Sequence, residues 1–205
     1  MNIAISGNNL KKSFNRRTIF ENVSFSLEPR MTLLITGPNG SGKSTLVKMI
    51  GGILTPTDGE LKVMSGGKGA TSVLHSLIGF VSPYLQMYEE FSTRENLKFA
   101  LAVRGMKELY PEIPQLLEDI QLSGRLDDPV RTFSSGMKQR VKYAFALVHR
   151  PPILIIDEPM ANLDSRGIEM VRHIMNRQKE KGILIVATNN ITEVDRPDQR
   201  VDLGK

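Results

Sequence analysis

The chain has 205 residues with 17 glycines, 11 prolines and no cysteine, and is 40% hydrophobic and 24% charged. That length and composition describe one compact globular domain and exclude a disordered or collagen-like chain, a disulfide scaffold, a thiolate metal site and a cysteine nucleophile. The 27 basic and 22 acidic residues give a net charge of +5 and a pI near 9.5, a diffuse preference for anions, since Lys and Arg form no block. Three scattered histidines do not supply the clustered ligands of a metal cage. No apolar run approaches the ~20 residues that span a bilayer, and the opening MNIAISGNNLKK lacks the apolar stretch of a secretory signal.

Through the first thirty residues polar and apolar side chains alternate. Val23, Phe25 and Leu27 fall on one face, with Ser24, Ser26 and Glu28 on the other, the pattern of half-buried antiparallel strands. Leu33-Leu34-Ile35 then meets a Gly-rich turn, after which Leu46, Met49, Ile50 and Ile53 recur at helical spacing, so a strand, a loop and a helix beginning near Ser44 are predicted. Thr55-Pro-Thr-Asp-Gly59 punctuates the chain, residues 60–63 read as a short strand, and Ser65-Gly-Gly-Lys-Gly69 reads as a hairpin loop. From about 84 to 150 the pattern is mostly helical, with breaks at Pro111, Pro114, Gly124 and Pro129. Within it Met137, Arg140, Val141, Ala144, Leu147 and Val148 share one inward stripe. His75 and His173 fall in surface-patterned segments, and His149 stands at a helix end, where a positive charge would meet free carbonyls. Residues 153–156 and 183–187 are continuous apolar runs separated by a helix over about 165–180, as in a parallel βαβ unit. The predicted fold class is α/β: a mainly parallel sheet, an N-terminal antiparallel β region and an inserted helical subdomain.

Gly37-Pro38-Asn39-Gly40-Ser41-Gly42-Lys43-Ser44, followed by Thr45, fits the phosphate-loop pattern G-x-x-x-x-G-K-[ST], a match that a random chain of this length yields about once in a hundred. Its setting is right for a P-loop NTPase core. A strand ends at Thr36, the glycines let backbone N–H groups face inward, and a helix N-terminus aims its dipole at anionic oxygens. Lys43 would reach the β- and γ-phosphates of a nucleotide, and the Ser44 hydroxyl would hold Mg²⁺. The run Ile153-Leu-Ile-Ile-Asp157-Glu158-Pro159 delivers two acids at the carboxyl end of a buried strand, where α/β sheets bind ligands. Asp157 would hold Mg²⁺ and Glu158 would orient and polarise an attacking water. Pro159 biases Glu158 toward extended backbone.

Phe133-Ser134-Ser135-Gly136-Met137-Lys-Gln-Arg140 resembles the L-S-G-G-Q-x-Q-R signature of the ABC (ATP-binding cassette) family, and Ala161-Asn-Leu-Asp164 is similar to its D-loop. The resemblance runs from about residue 5 to residue 203. It implies a single nucleotide-binding domain over 1–205, with a core at about 1–83 and 150–205 and a helical subdomain at about 84–149. It implies Mg²⁺-ATP as the ligand, and two cassettes paired head to tail, so that each signature (Ser134, Ser135, Gly136, Met137) and Asp164 closes over the nucleotide of the other. Ser134 also reads simply as a helix N-cap. Phe14 stands where the family has an adenine-stacking aromatic, and the resemblance implies that role for it, with an ordinary strand aromatic as the alternative. The resemblance further implies a cytoplasmic ATPase on the inner face of a cell membrane, coupled to separate integral membrane permease subunits, with no nucleic-acid partner. The run Tyr84, Leu85, Met87, Tyr88 and Phe91 is either the permease contact or helical core. Size and the acid-rich Tyr88-Glu-Glu are similar to small bacterial exporter cassettes, and the short carboxyl end predicts no accessory regulatory domain.

Four positions depart from the family pattern. Ser135 and Met137 replace Gly and Gln in the signature, Pro83 stands where a Gln is expected, and Asn189 stands where a histidine would face the γ-phosphate. Proline offers no side-chain oxygen and an amide takes no charge near pH 7, so slow hydrolysis is expected. The same features leave open an ATP-gated dimerising switch with little hydrolysis. A soluble non-transport ATPase of the family is the other alternative.

Overall fold

The computed structural model describes residues 3–70 and 74–204. Strand β1 (Ile3–Phe14) folds back on β2 (Arg17–Leu27) through Asn15 and Arg16, both at positive φ (46° and 67°), as a two-residue hairpin of matching twist requires. Val23, Phe25 and Leu27 are buried while Ser24, Ser26 and Glu28 are exposed, so the alternation read from sequence holds. Strand β3 (Thr32–Thr36) leads through the glycine loop into α1 (Lys43–Ile50). Then β4 (Asp58–Ser65) pairs antiparallel with β1 and, across Gly66 and Gly67, with β5 (Lys68–Gly69). The first sheet thus has the order β2-β1-β4-β5.

A short helix α2 (Leu74–Leu77) precedes β6 (Ile78–Val81). Next come α3 (Thr93–Val103), α4 (Ile113–Asp119), α5 (Ser135–Leu147), β7 (Ile153–Asp157), α6 (Ser165–Lys181), β8 (Ile183–Ala187) and β9 (Gln199–Asp202). The second sheet is parallel throughout, in the order β6-β7-β8-β3-β9.

Strands β3, β7 and β8 are buried at every position, yet their side chains divide strictly by parity. Leu33, Ile35, Ile153, Ile155, Ile183 and Ile185 join α1 and the first sheet in one core. Leu34, Leu154, Ile156, Leu184 and Val186 join α3, α4, α5 and α6 in another. A continuous apolar run is therefore a period-2 strand with a core on each face. The two sheets are also joined at their edges by Gln199, whose Oε1 accepts the Ser26 N–H at 3.1 Å while its Nε2 donates to Ser26 O.

Three expectations change. The helical region begins at Thr93 rather than near 84. Asn96 donates to the carbonyls of Tyr88 and Ser92 and accepts the Tyr88 N–H, which holds the preceding backbone in turns, and Ser92 with Glu95 forms a capping box that starts α3. Helix α5 is buried beyond one stripe, since Gln139, Tyr143 and Ala146 are enclosed as well as Val141 and Ala144. His149 does not serve as a charged helix end: it is 4% exposed, its Nε2 donates to Ile78 O at 3.1 Å, and burial with Arg104 nearby pushes its pKa down to about 4, so it is neutral at pH 7.

Candidate functional site

The loop between β3 and α1 is shaped by three glycines at φ 146° (Gly37), 83° (Gly40) and 104° (Gly42), a region that L side chains rarely adopt. A methyl group at Gly37 would sit 2.6 Å from Ser41 Oγ, and one at Gly42 2.6 Å from Ile19 Cγ2 of β2. The loop is thus pressed against the first hairpin, whose tip carries Phe14, 44% exposed. Pro38, Asn39 and Gly40 face solvent. Lys43 is buried and its Nζ donates to the loop's own carbonyls, Gly37 O at 2.9 Å and Pro38 O at 3.3 Å. Helix α1 starts at Lys43, one residue before the expected Ser44, and Thr45 lies in its first turn.

Strand β7, separated from β3 by β8, ends in Asp157, 0% exposed, and neither of its carboxylate oxygens has a hydrogen-bond partner. An unpaired carboxylate in that position is costly. Burial raises its pKa, and the Ser44 hydroxyl, Lys43 and Lys48 pull it back down. This donor set fits a divalent cation: an orphaned carboxylate beside a hydroxyl, oxygen ligands only, at the mouth of a phosphate-shaped loop. Glu158 comes within 3.9 Å of Lys43 Nζ. Burial raises its pKa, Lys43 opposes the rise, and the charges of Asp157 and Glu193 add to it. Its backbone is not extended as Pro159 suggested. Glu158 stands at φ 55°, its N–H donating to Ala187 O at 2.8 Å. A non-glycine residue held in the left-handed region at the end of a buried strand marks a position the surrounding structure over-determines.

The remaining predicted residues fall into a second group, 540 Å³ of open space lined by Ser134, Ser135, Gly136, Met137, Arg140 and Asp164 among others. Ser134 caps α5, its hydroxyl accepting the Met137 N–H, and Asp164 caps α6, accepting the Gly167 N–H at 2.8 Å. Sequence reading missed what joins them. Arg140 donates to Asp164 Oδ1 at 2.7 Å and to Gln121 Oε1 at 3.0 Å, although the signature motif already contained it. Gly167 first, then Arg140, holds the Asp164 carboxyl below its usual range. Asn189 is exposed and its side chain makes no hydrogen bond among the described residues. Pro83 O is instead held by Lys142 Nζ at 2.8 Å. Glu193, also missed, is an acid five residues beyond Thr188, and a search for charge just past the second buried strand finds it. Tyr84, Tyr88 and Phe91 are exposed (72%, 55% and 44%), as are Phe99 and Val103 of α3, and the Tyr88 ring meets those of Phe91 and Phe99 at centroid distances of 5.4 and 5.3 Å, so these side chains lie on the surface rather than in a helical core. Met87 packs against the core.

Residues 20–161 match the family model described as ABC transporter. The chain is 34% identical over 183 residues to the lantibiotic transport ATP-binding protein SrtF of Streptococcus pyogenes, covering 89% of this chain and 78% of that protein. It is 35% identical over 195 residues to the lipoprotein-releasing system ATP-binding protein LolD of Nitratidesulfovibrio vulgaris, covering 90% and 84%. A solved structure of an ATP-binding subunit of an ABC transporter superposes with a TM-score of 0.86 at 28% identity, covering 98% of this chain and 85% of that one.

Proposed function

The chain belongs to the ABC transporter family as an ATP-binding subunit, and from that premise we propose that it binds Mg²⁺-ATP between paired cassettes and hydrolyses it to drive a separate membrane permease. The observation that carries this reading is the buried Lys43 beside a fully buried, unpartnered Asp157 carboxylate at the mouth of the glycine loop. Among the described residues no helix is long and apolar enough to cross a membrane.

In this reading the loop amides from Gly37 to Thr45 and the α1 dipole bind the phosphates. Lys43 leaves the Gly37 and Pro38 carbonyls for the β- and γ-phosphate oxygens. Ser44 and Asp157 would hold Mg²⁺, which screens phosphate charge. Glu158, set by its left-handed backbone and kept near Lys43, orients the attacking water and accepts its proton. Phe14 at the hairpin tip stacks on the adenine, a contact worth roughly 1–3 kcal/mol in comparable cases. Ser134 to Met137 and Asp164 face the nucleotide of the second cassette. The domain division proposed with this function is a core at about 1–83 and 150–205 and a helical subdomain at about 84–149. The exposed Tyr84, Tyr88 and Phe91, with the half-buried Leu85 and Met87, form the permease contact. Hydrolysis is slow relative to cassettes with a histidine at position 189, because Asn189 stays in solvent and Pro83 contributes no side-chain oxygen.

Titration calorimetry with Mg²⁺-ATP tests the reading: wild type gives saturable heat, Lys43→Ala gives none, and Glu158→Gln binds but releases no phosphate. Equal heats for wild type and Lys43→Ala would overturn it. Wild-type phosphate release no faster than that of Glu158→Gln would instead favour a pure switch.

A further inference from the structure

Beyond β8 the chain makes a tight turn before it reaches β9. Thr188 is fully buried. Its N–H donates to Ile35 O of β3 at 3.0 Å, its hydroxyl donates to Glu193 Oε2 at 2.7 Å, and its Oγ1 accepts the Asn190 N–H at 3.0 Å. The Asn190 side chain in turn accepts from Thr192 N at 3.1 Å and Thr192 Oγ1 at 2.8 Å, and Glu193 N donates to Asn190 O at 3.1 Å. Asn189, in the middle of this turn, has no part in the network. The residue just before Thr188 is Ala187, whose carbonyl accepts the N–H of Glu158 at 2.8 Å. A short path therefore runs from the Glu193 carboxylate through Thr188 and the Ala187 carbonyl to the backbone of Glu158.

We infer that Glu193 is a positioning residue for hydrolysis: by accepting the Thr188 hydroxyl it fixes the end of β8, and so holds Glu158 in the left-handed backbone that presents its carboxylate. The inference rests on the reading of Glu158 as the group that activates water. Tyr143 closes the same corner, its hydroxyl donating to Pro159 O at 2.7 Å. A glutamine at 193 can still accept the Thr188 hydroxyl through its carbonyl oxygen, whereas an alanine cannot.

Steady-state phosphate release and Mg²⁺-ATP binding, measured on the full chain for wild type, Glu193→Ala, Glu193→Gln and Glu158→Gln, test the inference. Glu193→Ala is expected to lower kcat by about tenfold, since small misplacements of a reacting group can cost up to about a hundredfold, with KM for ATP and the melting temperature within twofold and about 2 °C of wild type. Glu193→Gln is expected to recover most of the lost kcat. The inference is overturned if Glu193→Ala turns over like wild type, if its KM and melting temperature fall along with kcat, or if Glu193→Gln is as slow as Glu193→Ala. The Glu158→Gln arm keeps the premise separate: a fall in kcat there with no effect at Glu193 removes the positioning role alone.

Discussion

At the scale of single residues, the phosphate loop and β7 trade stability for chemistry. Asp157 is 0% exposed with no hydrogen-bond partner for either carboxylate oxygen, and burial outweighs the opposing pull of Ser44, Lys43 and Lys48, so its charged form opposes folding. We expect Asp157→Asn to raise the melting temperature of the nucleotide-free protein while removing the stabilisation that Mg²⁺-ATP gives wild type, both read in one thermal-shift series. Gly42→Ala places a methyl group 2.6 Å from Ile19 Cγ2 at φ 104°, and is expected to lose nucleotide binding and several degrees of melting temperature. His149 acts through pH. Its folded pKa, lowered to about 4, lies below that of an unfolded histidine, so the unfolded chain takes up the proton first as pH falls. The contribution of His149 to stability is unaffected above pH 6.5, declines between 6.5 and 4, and levels off below. The loss at pH 5 amounts to about 2 kcal/mol. Urea midpoints at pH 7.5 and pH 5 check this, with a smaller fall expected in His149→Gln.

At the scale of elements, each piece of the site is placed by the end of a strand or the start of a helix. Strands β3, β7 and β8 carry their apolar residues alternately into two cores, which fixes their register, because a one-residue slip would exchange the two faces. The ends of β3 and β7 are thereby held on either side of β8, at the same edge of the sheet. Helix starts depend on caps. In Ser92 the hydroxyl accepts the Glu95 N–H at 3.2 Å while the Ser92 N–H donates to Glu95 Oε2 at 2.8 Å. Replacing Ser92 by alanine is expected to cost about 1–2 kcal/mol, measured from the urea midpoint at constant slope. The non-helical stretch before it was not visible in the local pattern, since Tyr84, Leu85, Met87 and Tyr88 could occupy a helix. Contacts from Asn96 and from Lys142 to Pro83 O decide its path.

At the scale of the whole molecule, Ser134 to Met137 and Asp164 line a space of their own, apart from the residues around Lys43, and in the proposed mechanism a second copy joins the two. Glu158→Gln is expected to elute at twice its monomer mass in Mg²⁺-ATP and at monomer mass in ADP, and a monomer under both conditions would contradict pairing by this chain alone. Phe91→Glu is expected to reduce co-sedimentation with permease-containing membranes while leaving the far-ultraviolet spectrum unchanged. The glycine loop, the paired acids, the alternation of the first hairpin and the βαβ order could all be read from the sequence, because each depends on backbone φ or on a period of two within a few residues. The orphaning of Asp157, the left-handed Glu158, the neutral His149, the Arg140 bridge to Asp164 and the bond from Thr188 to Glu193 could not. Burial and the proximity of charges depend on which distant elements come to lie against one another, and only the packed chain determines that.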